Sequence, residues 1–262
     1  HCTVKLNPTL LGRDRLRELM SQTLGYTDAH TPDKAFEDDA SWDQAQGFLD
    51  RLGDKAKGLG LSFGAKFSNT LIVDNHRDFF PAEEKQMYLS GPPLHVLAMN
   101  LVARTRETFG DRFPISFSAG IDAQNFADAA ALGLVPITVC SDLLKPGGYS
   151  RASAYFTNLC KRMDAVGAKS IPELVIRGFG HGLAALESLG LDADDPAAAA
   201  CKKALDEGGD LAGAAGEHFD AWVSAATLAN TKSYVEACTA DDRYALVKND
   251  KLPRKLGSHL EL

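Results

Sequence analysis

Three observations in the sequence predict an α/β fold with a parallel sheet. Four short apolar or β-branched segments read as buried strands, at residues 3–6 (TVKL), 62–67 (SFGAKF), 114–118 (PISFS) and 136–140 (PITVC). Each is followed by a turn or a polar cluster. Helical patterns fill the intervals, and strands that alternate with helices imply parallel pairing through right-handed crossovers.

The elements follow in order. After the first strand, residues 13–23 carry Leu16, Leu19 and Met20 on one helical face. Residues 41–58 form a helix with Ser41 as N-cap. Residues 91–109 form a long helix, with Pro92 and Pro93 near its start where proline is tolerated. Residues 122–132 follow the third strand with Asp122 as N-cap, and residues 150–166 follow the fourth. A longer amphipathic helix spans 218–238, with Phe219, Trp222, Val223, Leu228 and Tyr234 as its core side.

Four βα units are half of an eight-fold barrel, which typically needs about 250 residues. Residues 151–262 show no strand pattern and include an Ala/Gly-rich stretch. The expected organisation is a partial TIM-barrel-like unit at 1–150, a helical extension at 151–247 and a linker at 248–262.

Composition narrows the function classes. The chain has 262 residues, 45% hydrophobic and 24% charged, which is ordinary for a globular protein. Its 35 acidic and 28 basic residues give a net charge of -7, with no lysine or arginine stripe, which argues against nucleic acid and anionic membranes as partners. No apolar run approaches the roughly 20 residues of a membrane helix. Cysteines 2, 140, 160, 201 and 238 are odd in number and form no CxxC, against a disulfide framework or a metal or iron–sulfur site within the chain. A reducing, cytoplasmic compartment is expected. The start at His1, directly in a strand pattern, reads as a piece of a longer protein.

In α/β proteins the site lies where strands run into helices. Lys5 sits between apolar residues with Asn7 on the same face; it either faces a functional cavity, meets a carboxylate, or snorkels from an edge strand. Ser68, Asn69 and Thr70 offer donors and acceptors for the edge of a planar heterocycle, or form a polar turn. The run from Ser118 through Ala119, Gly120 and Ile121 to Asp122 lets backbone N–H groups approach an anion, with Asp122 as the cap. Cys140 and Ser141 present consecutive amides in the same way. Lys145, Gly147 and Gly148 add charge and close approach, or the segment is an ordinary turn before Ser150. Two such turns one βα unit apart match the phosphate site of barrels. Histidines 30, 76, 95, 181, 218 and 259 lack metal-ligand spacing and read as scattered surface residues. Glu83 and Glu84 read as a solvated helix start, and the glycine-rich segment 178–182 lacks a preceding strand.

The ordered set VKLNPT, FSNTL, YLSG, FPISFSAGID and ITVCSDLLKPGGY resembles the later half of the FMN-type barrel of dihydropyrimidine and dihydroorotate dehydrogenases. The likeness is nearest to the large flavin/iron–sulfur oxidoreductases described as selenate reductase subunits and as glutamate-synthase-related. It covers roughly residues 2–160. The resemblance implies that Lys5 contacts a flavin ring, that Asn69 and Thr70 line the ring and substrate, and that Ser90 and Gly91 form a turn near the flavin. It implies that Ala119 and Gly120 stand at the FMN phosphate, with Cys140 and Ser141 as the second phosphate turn. Ala119 departs from the glycine of that pattern, at a cost of about 1 kcal/mol wherever positive φ is required. Asp142 adds negative charge beside the second turn.

The same resemblance places the general acid or base on an earlier strand's loop, before residue 1, and implies a ferredoxin-like domain beyond the tail. Iron–sulfur clusters, FAD and NAD(P)H then belong to domains outside this chain. A half-barrel exposes edges at its first and fourth strands. Its expected partners are the remainder of its own polypeptide, other redox subunits, or a second copy through those edges, together with a small-molecule substrate. Three readings follow. The chain is a fragment of a flavin/iron–sulfur oxidoreductase, or a non-catalytic barrel scaffolding electron-transfer domains, or a Schiff-base barrel using Lys5 or Lys66.

Overall fold

The computed structural model describes residues 1–76, 80–192 and 195–249. Its strands are β1 (Cys2–Leu6), β2 (Phe63–Phe67), β3 (Leu71–Asp74), β4 (Gln86–Leu89) and β5 (Ile115–Phe117). The first helices are α1 (Arg13–Arg17), α2 (Asp33–Glu37), α3 (Trp42–Gly58), α4 (Pro92–Phe109), α5 (Phe126–Ala131) and α6 (Ala152–Val166). They continue with α7 (Ile171–Arg177), α8 (Gly182–Glu187), α9 (Pro196–Glu207), α10 (Leu211–Ala215), α11 (Phe219–Thr239) and α12 (Leu246–Asn249).

β1, β2 and β5 form one parallel sheet in that order, with helices in the connections. The mixed α/β architecture with a parallel sheet is that of a partial TIM barrel. Leu6, Phe67 and Phe117 share one row, and Lys5, Lys66 and Ser116 share the next. Alternation sends these rows to opposite faces. The phenylalanine row packs toward the helices, where the Phe117 ring meets His95 of α4 edge-on at 5.4 Å. The lysine row therefore faces away from α4, on the side that is the interior of a barrel.

α4 is apolar nearly all round and correspondingly buried from Pro93 to Val102. α3 opens with a capping box: Gln44 N–H donates to Ser41 Oγ, and Gln44 Oε1 accepts from the Ser41 N–H. Leu16, Leu19 and Met20 are buried on the expected face.

The structure corrects several expectations. The segment 136–140 is not a full strand; it pairs only through a bridge from Ile137 to Phe117. Pro136 carries no N–H, and the segment stands at the sheet edge, so no ladder extends from it. β1 is half-exposed, with Cys2, Thr3 and Lys5 open to solvent. The helix expected over 13–23 is α1 followed by a wider π-type turn, Glu18–Thr23. The antiparallel hairpin of β3 and β4 is an addition, and Glu83 and Glu84 lie in its loop rather than at a helix start. The helix expected from 122 begins at Phe126; Asp122 Oδ1 accepts from the Gln124 and Asn125 amides one turn earlier.

Beyond residue 150 the described residues are helical. α11 joins two cores: Trp222 and Ala226 pack with α7, α8 and α10, while Tyr234 and Cys238 belong to the core under the sheet. Trp222 Nε1 donates to the Gly182 carbonyl at 2.7 Å. Leu228, expected in the core, is 36% exposed. Of the tail expected as a linker, residues 250–262 lie outside the described residues, and so does His259.

Candidate functional site

A cavity of about 410 Å³ opens at the C-terminal ends of the parallel strands. Lys5 and Lys66 enter it from β1 and β2, Ser68 and Thr70 from the turn after β2, and Ser118, Ala119, Gly120 and Ile121 from the turn after β5. Ser90, Gly91 and Leu94 bring the start of α4 to its wall, and residues 138–141 close the far side. Eight of the nine residues singled out in the sequence line it: Lys5, Thr70, Ser90, Gly91, Ala119, Gly120, Cys140 and Ser141. Ser141 Oγ lies 3.5 Å from Ser90 Oγ, which joins the last turn to the first turn of α4.

The electrostatics have one sign. Two lysines line the cavity, and no carboxylate does among the described residues. Lys5 and Lys66 are register partners. Burial, and behind it the neighbouring Lys5 ammonium, lowers the pKa of Lys66. The remaining polar groups are the Ser68, Thr70, Ser90, Ser118, Thr138 and Ser141 hydroxyls and main-chain amides. Such a set is complementary in charge and hydrogen bonding to an anion.

Gly120 has φ +54°, and a Cβ there would stand 2.5 Å from the Gly91 carbonyl oxygen. Only glycine lets the β5 turn and the α4 start approach this closely. Ala119 has negative φ, since among the described residues every one with positive φ is a glycine. The strain expected from alanine in place of glycine is therefore absent.

The Asp142 carboxylate does not charge the cavity. It is 3% exposed and turns toward Arg151, Lys145 and Tyr155, at 2.9, 3.0 and 2.6 Å. Burial would raise its pKa, but hydrogen bonds from Arg151, Tyr155 and Lys145 outweigh this and hold it down at about 2. Lys145, expected beside a phosphate, is instead committed to Asp142, and Gly147 and Gly148 are not among the residues lining the cavity.

Residues 1–178 match the family described as "Oxidoreductase YgfK, N-terminal TIM-barrel domain". The chain belongs to this family. Over 156 residues, 60% of the chain, it is 41% identical to "Putative oxidoreductase YgfK" of Escherichia coli K12, and equally to the protein of that name from Escherichia coli O157:H7. The matched region is 15% of the length of each of these relatives. No solved structure gives a significant match.

In this YgfK-type barrel domain Asn69 stands apart from the other sequence-selected residues. It lines an adjoining pocket of about 280 Å³ with Asn7, Thr9, Asp39 and Tyr88, and Thr70 lies between the two spaces. Asn69 Nδ2 donates to Asn7 Oδ1 at 2.5 Å, and Asn7 Nδ2 donates to Asp39 Oδ2 at 2.6 Å. Thr9 Oγ1 also donates to Asp39. A relay of this kind presents fixed amide groups to a ligand edge. Asp39 carried no sequence signal of its own, because it acts through Asn7 across 32 positions.

His95 corrects the reading of the histidines as surface groups. It is fully buried beneath the Ala119 turn, with Nδ1 2.9 Å from the Ala119 carbonyl and Nε2 2.9 Å from Tyr234 Oη. Burial pushes its pKa down to about 4, so the ring is neutral at pH 7.

A larger groove of about 540 Å³ lies between α1, α4 and α11. Its Arg15 already pairs with Glu18 and Asn100, and its Arg104 donates to the Leu10 and Leu11 carbonyls. Among the described residues no three His, Cys, Asp or Glu side chains cluster to hold a metal ion, and no helix is long and apolar enough to cross a membrane.

Proposed function

We propose that this chain supplies the flavin- and phosphate-contacting part of a multidomain flavin/iron–sulfur oxidoreductase whose barrel is of the dihydropyrimidine-dehydrogenase type. The single observation that carries this reading is the strand-end cavity, with its two unopposed lysines, its hydroxyls and the two small-residue turns on one wall. The family name supports a redox role. The relatives' much greater length leaves room for iron–sulfur and FAD/NAD(P)H domains elsewhere in the polypeptide or in partner subunits.

The residues present fit FMN. The cavity volume falls within the roughly 300–1,000 Å³ of ligand sites. The donor set suits a phosphate monoester at the Gly120 and Ser141 side and a polarisable ring near Lys5 and Thr70. When bound, FMN supplies a ring that accepts or donates a hydride or single electrons. Lys5 and Lys66 bind and orient negative charge, and a lysine beside the ring would favour its reduced, anionic form. Ser90, Ser141 and the Gly120 turn hold the phosphate end. The polar relay from Asp39 through Asn7 to Asn69 orients a small substrate beside Thr70.

A second reading is a barrel that only scaffolds electron-transfer domains. One observation favours it: the segment at 136–140, beside the second small-residue turn, pairs only through a bridge from Ile137 to Phe117 rather than as a barrel strand. FMN content of the complete protein, distinguished from FAD after release of the flavins, separates the two. Bound FMN that is weakened in Lys5→Ala supports the enzyme reading. A protein that contains no FMN and takes up none when it is added supports the scaffold.

A further inference from the structure

The turn after β5 is held from behind. His95 Nδ1 donates to the Ala119 carbonyl at 2.9 Å, and Asn125 Nδ2 donates to the Gly120 carbonyl at 2.9 Å. Both peptides are trans. In a trans peptide the C=O and the N–H that follows it point in opposite directions. The amides of Gly120 and Ile121 are thereby turned away from His95 and Asn125. Both residues line the cavity, and neither amide has a hydrogen-bond partner among the described residues.

The holding groups are themselves fixed by the C-terminal part of the chain. Tyr234 of α11 donates to His95 Nε2 at 2.9 Å, which leaves the ring proton on Nδ1. The Tyr244 ring stacks on His95, with centroids 4.9 Å apart and planes 5° from parallel. Asn125 Nδ2 also reaches Tyr244 Oη at 3.3 Å. His95, Asn125 and Tyr234 are all at least 93% buried.

We infer that His95, Asn125 and Tyr234 are positioning residues that hold the Gly120 and Ile121 amides as a paired-donor nest for a phosphate monoester, which makes α11 a structural part of the site. The inference rests on the reading of the cavity as a site for a phosphorylated ligand. Two successive amides in one concavity suit phosphate oxygens. Without the buried bonds both peptide planes are free to rotate and to turn carbonyl oxygens toward the anion.

The test is a titration of the complete protein with inorganic phosphate, followed by the amide chemical shifts of Gly120 and Ile121. In the wild type both amides move together and saturate. Tyr234→Phe keeps the ring and its packing and removes only the hydroxyl, and it weakens this response about tenfold, the loss expected for one hydrogen bond in a buried network. FMN affinity falls by a similar factor in Tyr234→Phe, whereas riboflavin, which lacks the phosphate, binds within about twofold of wild type. A purely structural defect weakens both flavins alike. If Tyr234→Phe does not fold, His95→Asn takes its place. It keeps an amide donor for Ala119 and should retain phosphate binding, while His95→Leu should lose it. Amides that stay still in wild type, or equal loss of FMN and riboflavin, overturn the inference. Phosphate shifts without binding of either flavin would uphold the nest and refute the flavin reading.

Discussion

Lys5 and Lys66 stand opposite one another on neighbouring parallel strands and enter the same cavity. Two ammonium groups in that relation repel, and Lys66 is partly withdrawn from water. Neither has an ion-pair partner within 4 Å among the described residues. The arrangement costs free energy in the empty site and is relieved by a bound anion. It is the kind of local conflict that folds keep at binding sites.

Lys5→Ala and Lys66→Ala should each weaken FMN binding about tenfold, near the lower end of what a charge-assisted hydrogen bond contributes. Neither should lower the melting temperature, because each removes a repulsion. Fluorescence titration and thermal unfolding of the same samples check this. Unchanged affinity in both variants would remove the lysines from the site.

Gly120→Ala places a Cβ 2.5 Å from the Gly91 carbonyl oxygen at φ +54°. The expected cost is about 1–3 kcal/mol, read as a lower urea midpoint, with FMN binding lost or strongly weakened. A variant that unfolds with the wild type would show that the two turns do not need their close approach.

Asp142→Asn should destabilise the protein by about 2 kcal/mol at neutral pH, since the carboxyl titrates at about 2 in the fold against its ordinary 3.8. A depressed carboxyl stabilises above its unfolded pKa, and that contribution disappears as pH falls through the folded value. The difference between variant and wild type should therefore shrink from about pH 4 down to about pH 2. Urea unfolding at several pH values measures it. A difference that does not depend on pH would place the cost in packing alone.

His95 gives an opposite case with the same direction. Its ring titrates at about 4 in the fold and at 6.5 in an unfolded chain, so below pH 6.5 the unfolded chain binds more protons. Stability should fall by about 3 kcal/mol between pH 6.5 and 4 from this group. His95→Asn removes that slope. Equal pH slopes in wild type and His95→Asn would show that His95 is not buried neutral.

β1, β2 and β5 were legible because each is a short apolar run closed by a turn, and the residues at their ends converge in one cavity because parallel strands present all their C-terminal ends together. The segment at 136–140 looked the same locally. Its shortening depends on its place at the sheet edge, which no local pattern carries. The β3–β4 hairpin was missed because its two runs of four residues are separated by eleven others. His95 was misread for a related reason. Its environment comes from Ala119, 24 positions away, and Tyr234, 139 positions away, though its place inside the apolar run of α4 was a signal of burial. Lys145 reads in the sequence either as charge near a ligand or as part of an ordinary turn, but Asp142 stands one helical turn before it, a spacing that by itself predicts the pair found. Asn69 separated from the cavity because the partner that turns it, Asn7, lies on another strand's exit.

Titration of the protein with FMN, followed by flavin fluorescence and the absorbance spectrum, tests the flavin site most directly. Saturable quenching at micromolar FMN, with a perturbed ring spectrum and a response shifted to about tenfold higher FMN in Lys66→Ala, is the predicted result. Free-flavin fluorescence and an unshifted spectrum throughout the titration, in the chain and in the complete protein alike, would contradict it.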